Sequence, residues 1–152
     1  MRAFVIEDNP RVREGLVGTL RELAWAEAVG QAETEQEGVH WLAENPDGWD
    51  VVVVDLFLKE GSGMRILEVC RERRPSQKVV VVSNHATQDI RWRCERLGAD
   101  AVFDKVGELD DLVDFCLRYR RHGGVPAAEG APAGARHREP TARRRQTPAR
   151  PP

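Results

Sequence analysis

Long hydrophobic runs are missing from this sequence. Its longest apolar stretches are four or five residues, as at 51–54 and 79–82, whereas a membrane-spanning helix needs about 20. The chain passes from Met1-Arg2 through four apolar residues directly into carboxylates, which leaves no room for the apolar region and cleavage site of a signal peptide. The sequence therefore predicts a cytoplasmic protein with no membrane partner.

Cysteine and metal-binding histidine patterns are also lacking. Cys70, Cys94 and Cys116 are odd in number, far apart and without the spacing of metal ligands. The four histidines show no ligand spacing either. These absences disfavour a disulfide framework and a zinc site, and the three thiols are expected to be reduced residues of the core or the surface.

Charge and composition change near residue 122. Residues 1–120 carry 16 Lys and Arg against 23 Asp and Glu, whereas residues 121–152 carry 7 against 2. From 123 onward the chain is mostly Gly, Pro, Ala and Arg, with little to bury, so apolar burial could not offset the entropy of ordering it. We predict a folded domain over 1–122 and a disordered Pro/Gly/Ala/Arg-rich tail over 123–152.

The tail also bears on function. It is too short and too polar to form an attached effector domain, so the output of the folded part is expected to be a protein contact. Contact with nucleic acid is disfavoured, because the folded part is acidic and no basic amphipathic segment accompanies the arginines of the tail.

Short apolar runs alternate with segments of helical periodicity, a pattern typical of a parallel sheet wrapped by helices. The most polar of these runs, 28–32, suits an edge strand. The pattern predicts an α/β fold with a doubly wound, five-stranded parallel sheet in the flavodoxin-like order 2-1-3-4-5 and helices on both faces. The predicted strands are 3–6, 28–32, 51–54, 79–82 and 101–103.

Capping residues mark where the predicted helices begin. The apolar stripes of the first two helices are expected to extend to Leu23 and Ala43, and the last helix, near 109–116, closes the domain around Tyr119. The predicted caps are Asn9 followed by Pro10, Thr34 in a capping box with Glu37, Ser62, and Thr87.

Polar side chains follow four of the five predicted strands. Because the carboxyl ends of parallel strands meet at one edge of the sheet, these side chains are expected to converge there although they are distant in sequence. The residues are Glu7 and Asp8 after the first strand, Asp55 after the third, Ser83 after the fourth and Lys105 after the fifth.

Clustered carboxylates repel one another unless a cation or protons compensate them. Mg²⁺ is the natural compensator, since it prefers carboxylate oxygens, water and phosphate oxygens. Lys105 adds a positive charge that can pair with Asp55, and Ser83 can donate a hydrogen bond. An aspartate beside a metal ion and a lysine is a competent nucleophile for forming an aspartyl phosphate.

This ordered set resembles the CheY-like receiver domain of two-component response regulators, and the likeness covers about residues 2–120. No single motif is specific enough to indicate this family, but the whole set of motifs in this order is. The matching segments are Glu7-Asp8, Asp55-Leu56-Phe57-Leu58 with Gly63, Ser83 after the valine run 79–82, and 98–105 around the fifth strand.

The resemblance implies a role for each site residue. Asp55 resembles the phosphoacceptor and is also expected to be a ligand of the Mg²⁺ ion. Asp8 resembles the direct Mg²⁺ ligand, Glu7 the acid that acts through water, and the Phe57 carbonyl a further protein ligand. Ser83 and Phe103 resemble the hydroxyl and the aromatic side chain that switch on phosphorylation.

The resemblance also implies partners. The phosphoryl donor is expected to be a sensor histidine kinase or a histidine phosphotransfer protein. A downstream protein target is expected on the face near 90–97 and 101–119, and a homodimer is compatible with this arrangement. A receiver domain is not an enzyme in the usual sense, since it catalyses only its own phosphorylation and slow dephosphorylation.

The sequence departs from the commonest family pattern at Lys59 and Val106, where many members have proline, and at Asn84, where a small residue is usual. We expect looser loops at the first two positions and altered access to Asp55 at the third. The bulk of Phe57 and His85 is expected to slow the attack of water on the phosphorylated aspartate.

Two alternatives remain open at this stage. One is a receiver-like module that binds a partner without being phosphorylated, which the complete set of acids disfavours. The other is a phosphohydrolase of the haloacid dehalogenase type, which needs a second aspartate two residues after the nucleophile, where this sequence has Phe57.

Overall fold

Five short apolar runs form the strands of one parallel sheet in the computed structural model, which describes residues 1–122. The predicted tail, 123–152, lies outside the described residues. The elements are β1 Arg2–Ile6, α1 Pro10–Ala24, β2 Glu27–Ala32, α2 Glu35–Glu44, β3 Val51–Val54, α3 Gly63–Val69, a short 3₁₀ helix Cys70–Glu72, β4 Lys78–Ser83, α4 Gln88–Arg96, β5 Ala101–Asp104 and α5 Leu109–Arg121.

The strand order is β2-β1-β3-β4-β5 and every pairing is parallel, which confirms the predicted topology. In register, Ile6 lies opposite Val54, Val54 opposite Val81, and Ser83 opposite Asp104. The strand order reverses between β1 and β3, so the residues that follow these two strands lie beside the crevice where such sheets bind ligands.

Alternate residues of the strands point to opposite faces, and each face has its own apolar core. Phe4, Val52 and Val79 belong to the cluster that includes residues of α2, α3 and α4. Val5 and Val53 belong to the cluster that includes residues of α1 and α5. All five of these side chains are buried, as expected for a sheet covered on both faces.

The predicted caps of the first four helices are confirmed. The side-chain oxygens of Asn9, Thr34, Ser62 and Thr87 each accept a hydrogen bond from a backbone N–H of the first turn. The capping box at Thr34 differs in one contact, because the Glu37 carboxylate accepts the N–H of Glu33 instead of that of Thr34.

Two predicted core positions are wrong. Leu23 is 55% exposed, and Ala43 is exposed as well. In α1 the buried row advances four residues at a time, from Leu16 through Leu20 to Ala24, and in α2 the buried residues, Gly38 and Leu42, are also four apart. Leu23 and Ala43 each lie one position away from such a row, so their side chains point past the edge of the buried face of the helix.

The three cysteines are free and buried, in agreement with the sequence-based prediction of reduced residues. Burial raises the pKa of the Cys70 and Cys94 thiols to about 11 and that of Cys116 to about 12.

Of the helices formed by residues 1–122, none combines the length and hydrophobicity that a bilayer crossing needs.

Arg2 and Asp50 join the start of β1 to the residue before β3. Asp50 Oδ2 accepts the backbone N–H of Arg2 at 2.6 Å, and Asp50 Oδ1 lies 3.1 Å from Arg2 Nη2. Partial burial alone would raise the pKa of the Asp50 carboxyl, but the hydrogen bonds from the Arg2 side chain and backbone hold it below its ordinary value. The pair therefore stabilises the fold only while Asp50 is ionised.

We expect Asp50→Asn to lower the free energy of unfolding at neutral pH by about 1 kcal/mol, a modest value because the Arg2 guanidinium is partly exposed. The lowered pKa of Asp50 means that this contribution is complete above the unfolded pKa of the carboxyl and is lost as pH falls through the folded one. Urea unfolding at neutral pH and at about pH 3 checks this. A difference between the two proteins that persists unchanged at low pH would contradict it.

Candidate functional site

The candidate site lies just beyond the carboxyl ends of β1, β3 and β5. The parallel hydrogen-bond pattern continues for one residue past each strand: Glu7 N–H donates to the Ala32 carbonyl, Asp55 N–H to the Ile6 carbonyl and Lys105 N–H to the Ser83 carbonyl, at 3.0 to 3.1 Å. The backbones of the two acids and the lysine are thus fixed by the sheet itself.

Lys105 connects the two buried acids. Its Nζ lies 2.5 Å from Glu7 Oε2 and 2.9 Å from Asp55 Oδ2. The side chains of Lys105, Glu7 and Asp55 are only 10%, 2% and 8% exposed, so these charges interact with little solvent screening.

A third acid completes the cluster. Glu7, Asp8 and Asp55 each present a carboxylate oxygen, and these oxygens all lie within 4.8 Å of one another. Asp8 is half-buried and also accepts the Lys59 N–H at 2.8 Å. Three carboxylates face one ammonium group, so the site has an excess of negative charge. The donor set consists only of oxygens that lie close enough together to share one ion, which fits a hard divalent cation such as Mg²⁺.

Electrostatics in the site shifts the ionisation of two of its groups. Burial raises the pKa of the Glu7 carboxyl, and the nearby charge of Asp55 raises it further, although the hydrogen bond from Lys105 opposes both effects. Burial alone would lower the pKa of the Lys105 ammonium, but hydrogen bonds to Glu7 and Asp55 raise it above its ordinary value. Lys105 is therefore charged at neutral pH.

Ser83 is fully buried at the end of β4, and its Oγ accepts the His85 N–H at 3.1 Å. It occupies the strand next to β3, as predicted, and its carbonyl accepts the Lys105 N–H. Phe103 is two residues before Lys105 and packs in the core cluster shared with α1 and α5, with its ring centroid 6.1 Å from that of Phe115. The structure therefore places it behind the site and not among the carboxylates.

Phe57 follows Asp55 by two residues and is 54% exposed. Its N–H lies 3.4 Å from Asp55 Oδ1, and its ring meets the ring of His85 edge-on at 5.2 Å. The loop after β3 then turns back, because Gly63 N–H donates to the Leu56 carbonyl. A Cβ at Gly63 would lie 2.2 Å from the Asp55 carbonyl oxygen, so glycine is required where α3 begins.

Lys59 and Val106 each donate a backbone hydrogen bond to a neighbouring acid. Lys59 N–H donates to Asp8, and Val106 N–H donates to Asp104 Oδ1 at 2.7 Å. Gly107 N–H donates to the same Asp104 oxygen at 3.3 Å. Proline could form neither of the first two bonds because it has no N–H. Lys59 thus connects its loop to Asp8 of the acidic cluster, Val106 makes a local contact with Asp104, and looser loops at these two positions stay a prediction.

Arg13 is a neighbour of the site that sequence reasoning missed. Its guanidinium, on α1, donates to the Glu7 carbonyl at 2.8 Å and pairs with Glu33 at 2.9 Å. It thus links the residue after β1 to the segment after β2. Its place one turn into a helix that starts just after Glu7-Asp8 was the signal that could have identified it.

Comparison with known proteins agrees with this geometry. The sequence profile of the response regulator receiver domain matches residues 3–116. The chain belongs to the response regulator receiver domain family. Receiver domains of this family are signalling domains of two-component systems and not classical enzymes, which argues against the phosphohydrolase alternative.

Several curated response regulators are similar in sequence to this receiver domain. Response regulator protein PilR of Pseudomonas aeruginosa is 28% identical over 138 residues, which cover 89% of this chain and 29% of that protein. The nitrate/nitrite response regulator protein NarL of Escherichia coli is 32% identical over 112 residues, covering 72% of this chain and 50% of NarL. The chain thus spans half or less of the length of these two relatives.

Solved receiver domains share the fold. The response regulator domain of Thermotoga maritima CheB matches with a TM-score of 0.66 at 21% identity, covering 82% of this chain and 96% of that one. The beryllofluoride-activated receiver domain dimer of NtrC4 also matches with a TM-score of 0.66, at 20% identity, covering 80% of this chain and 97% of that one.

Loss of the Lys105 charge should destabilise this receiver domain. We expect Lys105→Met to lower the free energy of unfolding by about 3 kcal/mol in metal-free buffer at neutral pH, because it leaves buried carboxylates unpaired. The deficit should shrink as pH falls, since protonation of Glu7, whose pKa is already raised, relieves the repulsion.

Urea unfolding at several pH values, with chelator present, measures this effect. Lys59→Met is the matched control, because the Lys59 side chain is exposed and makes no ion pair within residues 1–122. Equal stability of the Lys105 and Lys59 variants would contradict the prediction.

Proposed function

We propose that this receiver domain is a phosphoacceptor in a two-component phosphorelay. In this proposal Asp55 accepts a phosphoryl group from a histidine kinase or a histidine phosphotransfer protein, with Mg²⁺ bound at the acidic cluster. The observation that carries the proposal is the Lys105 ammonium, held between Glu7 and Asp55 beside a third carboxylate. This arrangement offers a nucleophile and a positive charge at one point.

Asp55 would act through a carboxylate oxygen. That oxygen forms a bond to phosphorus while the bond from phosphorus to the donor's imidazole nitrogen breaks, and the electron pair of the broken bond remains on the imidazole. Lys105 already contacts Asp55 Oδ2, so its charge offsets the repulsion between two anionic reactants and can then pair with a phosphoryl oxygen.

Asp8 and Asp55 would hold Mg²⁺ directly, Glu7 would act through water, and the Phe57 carbonyl would be a further ligand. When bound, the ion supplies positive charge that offsets the negative charge of the phosphoryl oxygens. The oxygen-only donor set and its separation of at most 4.8 Å support this assignment.

Phosphorylation would act as a switch through Ser83 and Phe103. The Ser83 Oγ accepts a hydrogen bond from His85, and its own proton can be donated to a phosphoryl oxygen. The backbone N–H of Lys105 donates a hydrogen bond to the Ser83 carbonyl. A displacement of Ser83 would therefore shift β5 and the neighbouring Phe103. The added charge of about −1.5 to −2 is enough to bias such an element.

The face formed by α4, β5 and α5 is the proposed output surface. It adjoins both switch residues, and it carries an ion pair of 2.7 Å between Arg91 and Glu108 that links α4 to the loop before α5. Its occupant would be a downstream protein target or, as the NtrC4 receiver domain forms a dimer, a second copy of this chain. No contact with membranes or nucleic acid is proposed.

Incubation with acetyl phosphate and Mg²⁺ tests the proposal. Intact-mass spectrometry should show the addition of one phosphoryl group, and Asp55→Asn should abolish it because the amide is no longer a nucleophile. Asp89→Asn, at an exposed acid of α4, is the control that should leave labelling intact. No adduct on the folded wild-type protein would favour the binding-only alternative, and repeated turnover of phosphate esters would favour the hydrolase.

The lifetime of the adduct tests the roles of Phe57 and His85. The two rings meet edge-on, and the backbone N–H of Phe57 lies 3.4 Å from Asp55 Oδ1, so we expect the rings to hinder the approach of water. We expect Phe57→Ala to lose the phosphoryl group roughly fivefold faster than wild type, corresponding to about 1 kcal/mol of barrier. Leu23→Ala, which removes an equally exposed side chain from α1, should decay like wild type. A Phe57→Ala adduct that decays no faster would contradict the hypothesis.

A further inference from the structure

The loop after β3 contacts the acidic cluster through its backbone. Lys59 N–H donates to Asp8 Oδ2 at 2.8 Å, across 51 positions of sequence. The Lys59 side chain is exposed. The contribution of this residue to the site is therefore its peptide N–H, a group that every amino acid except proline supplies.

We propose that the Lys59 N–H is a positioning group for the divalent-ion site, which fixes the orientation of the Asp8 carboxylate. This inference rests on the proposed function, because it assumes that the cluster binds Mg²⁺. It adds a residue that touches neither the ion nor the phosphoryl group but determines how well Asp8 is placed to bind the ion.

Asp8 needs such a group more than its neighbours do. Lys105 forms hydrogen bonds with both Glu7 and Asp55, whereas no Lys or Arg side chain within residues 1–122 forms an ion pair with Asp8. Asp8 is also only half-buried, so packing restricts its carboxylate less than it restricts those of the two buried acids. The Lys59 N–H is the contact that holds it.

The geometry of a carboxylate permits both contacts at once. An ionised carboxylate has two oxygens with about four acceptor positions, so one N–H occupies a single position and leaves the rest for an ion. Hydrogen bonds of this kind orient metal ligands, and their removal typically lowers metal affinity by about 10- to 100-fold.

The rest of the loop is held independently of Lys59. Glu35 Oε2 accepts the Ser62 N–H at 2.7 Å, and Glu35 N–H donates to the Glu60 carbonyl at 3.1 Å. Leu58, just before Lys59, is buried in the core. A change confined to the Lys59 N–H should therefore disturb Asp8 while the loop keeps its other attachments.

Lys59→Pro and Lys59→Ala separate the N–H from the side chain. Both substitutions remove the ammonium group, but only proline removes the N–H. MgCl₂ titrations of the ¹⁵N-labelled proteins, followed by NMR, give the dissociation constant of each. We expect Lys59→Pro to bind Mg²⁺ about tenfold more weakly than wild type and Lys59→Ala to bind it like wild type.

Two results would overturn the inference alone. Wild-type affinity in Lys59→Pro would show that the N–H does not position Asp8, and equally weakened binding in Lys59→Ala would assign the effect to the side chain. Failure of the wild-type protein itself to bind Mg²⁺ would instead overturn the metal site of the proposed function, and the inference with it.

A second measurement decides the question if Lys59→Pro does not fold. In the Mg²⁺-loaded wild-type protein, the Lys59 amide should exchange slowly with solvent, because its hydrogen bond to Asp8 protects it. In Asp8→Ala, which removes the carboxylate that accepts this hydrogen bond, the same amide should exchange quickly. Fast exchange of the Lys59 amide in the loaded wild-type protein would overturn the proposal.

Discussion

One ammonium group enables the acidic site to exist within a folded domain. Lys105 is within hydrogen-bond distance of both Glu7 and Asp55, and all three side chains are nearly removed from water. Without that charge the carboxylates would repel one another at short range. The strands that precede these residues must therefore end at the same edge of the sheet. Backbone hydrogen bonds that continue one residue past β1, β3 and β5 hold them there.

The architecture that meets this constraint could be predicted from the sequence. Valine-rich runs such as 51–54 and 79–82 are too apolar for a half-exposed strand, and the chain between them is helical in period. Right-handed connections then determine which face of the sheet each helix covers, whereas the strand order with its reversal next to β1 was predicted by analogy with flavodoxin-like sheets. The convergence of Glu7, Asp55 and Lys105 was predictable for the same reason, because strand ends determine which side chains meet.

What could not be predicted depends on individual backbone contacts. Nothing in the residue type of Lys59 indicates that its N–H reaches Asp8, and the absence of proline at this position suggested only a looser loop. Leu23 has the periodicity of a core residue, yet the buried row of α1 passes beside it to Ala24. Periodicity specifies the side of a helix, whereas the exact row that is buried depends on how the helix crosses the sheet.

The ion pair between Lys105 and Glu7 joins residues that are 98 positions apart. During synthesis the N-terminal acids leave the ribosome long before the lysine that compensates them, so β1 through β4 cannot yet close the site. A nascent or truncated chain that stops before β5 thus lacks the charge that the acids require. Compensation of the two acids is in this way linked to completion of the whole sheet.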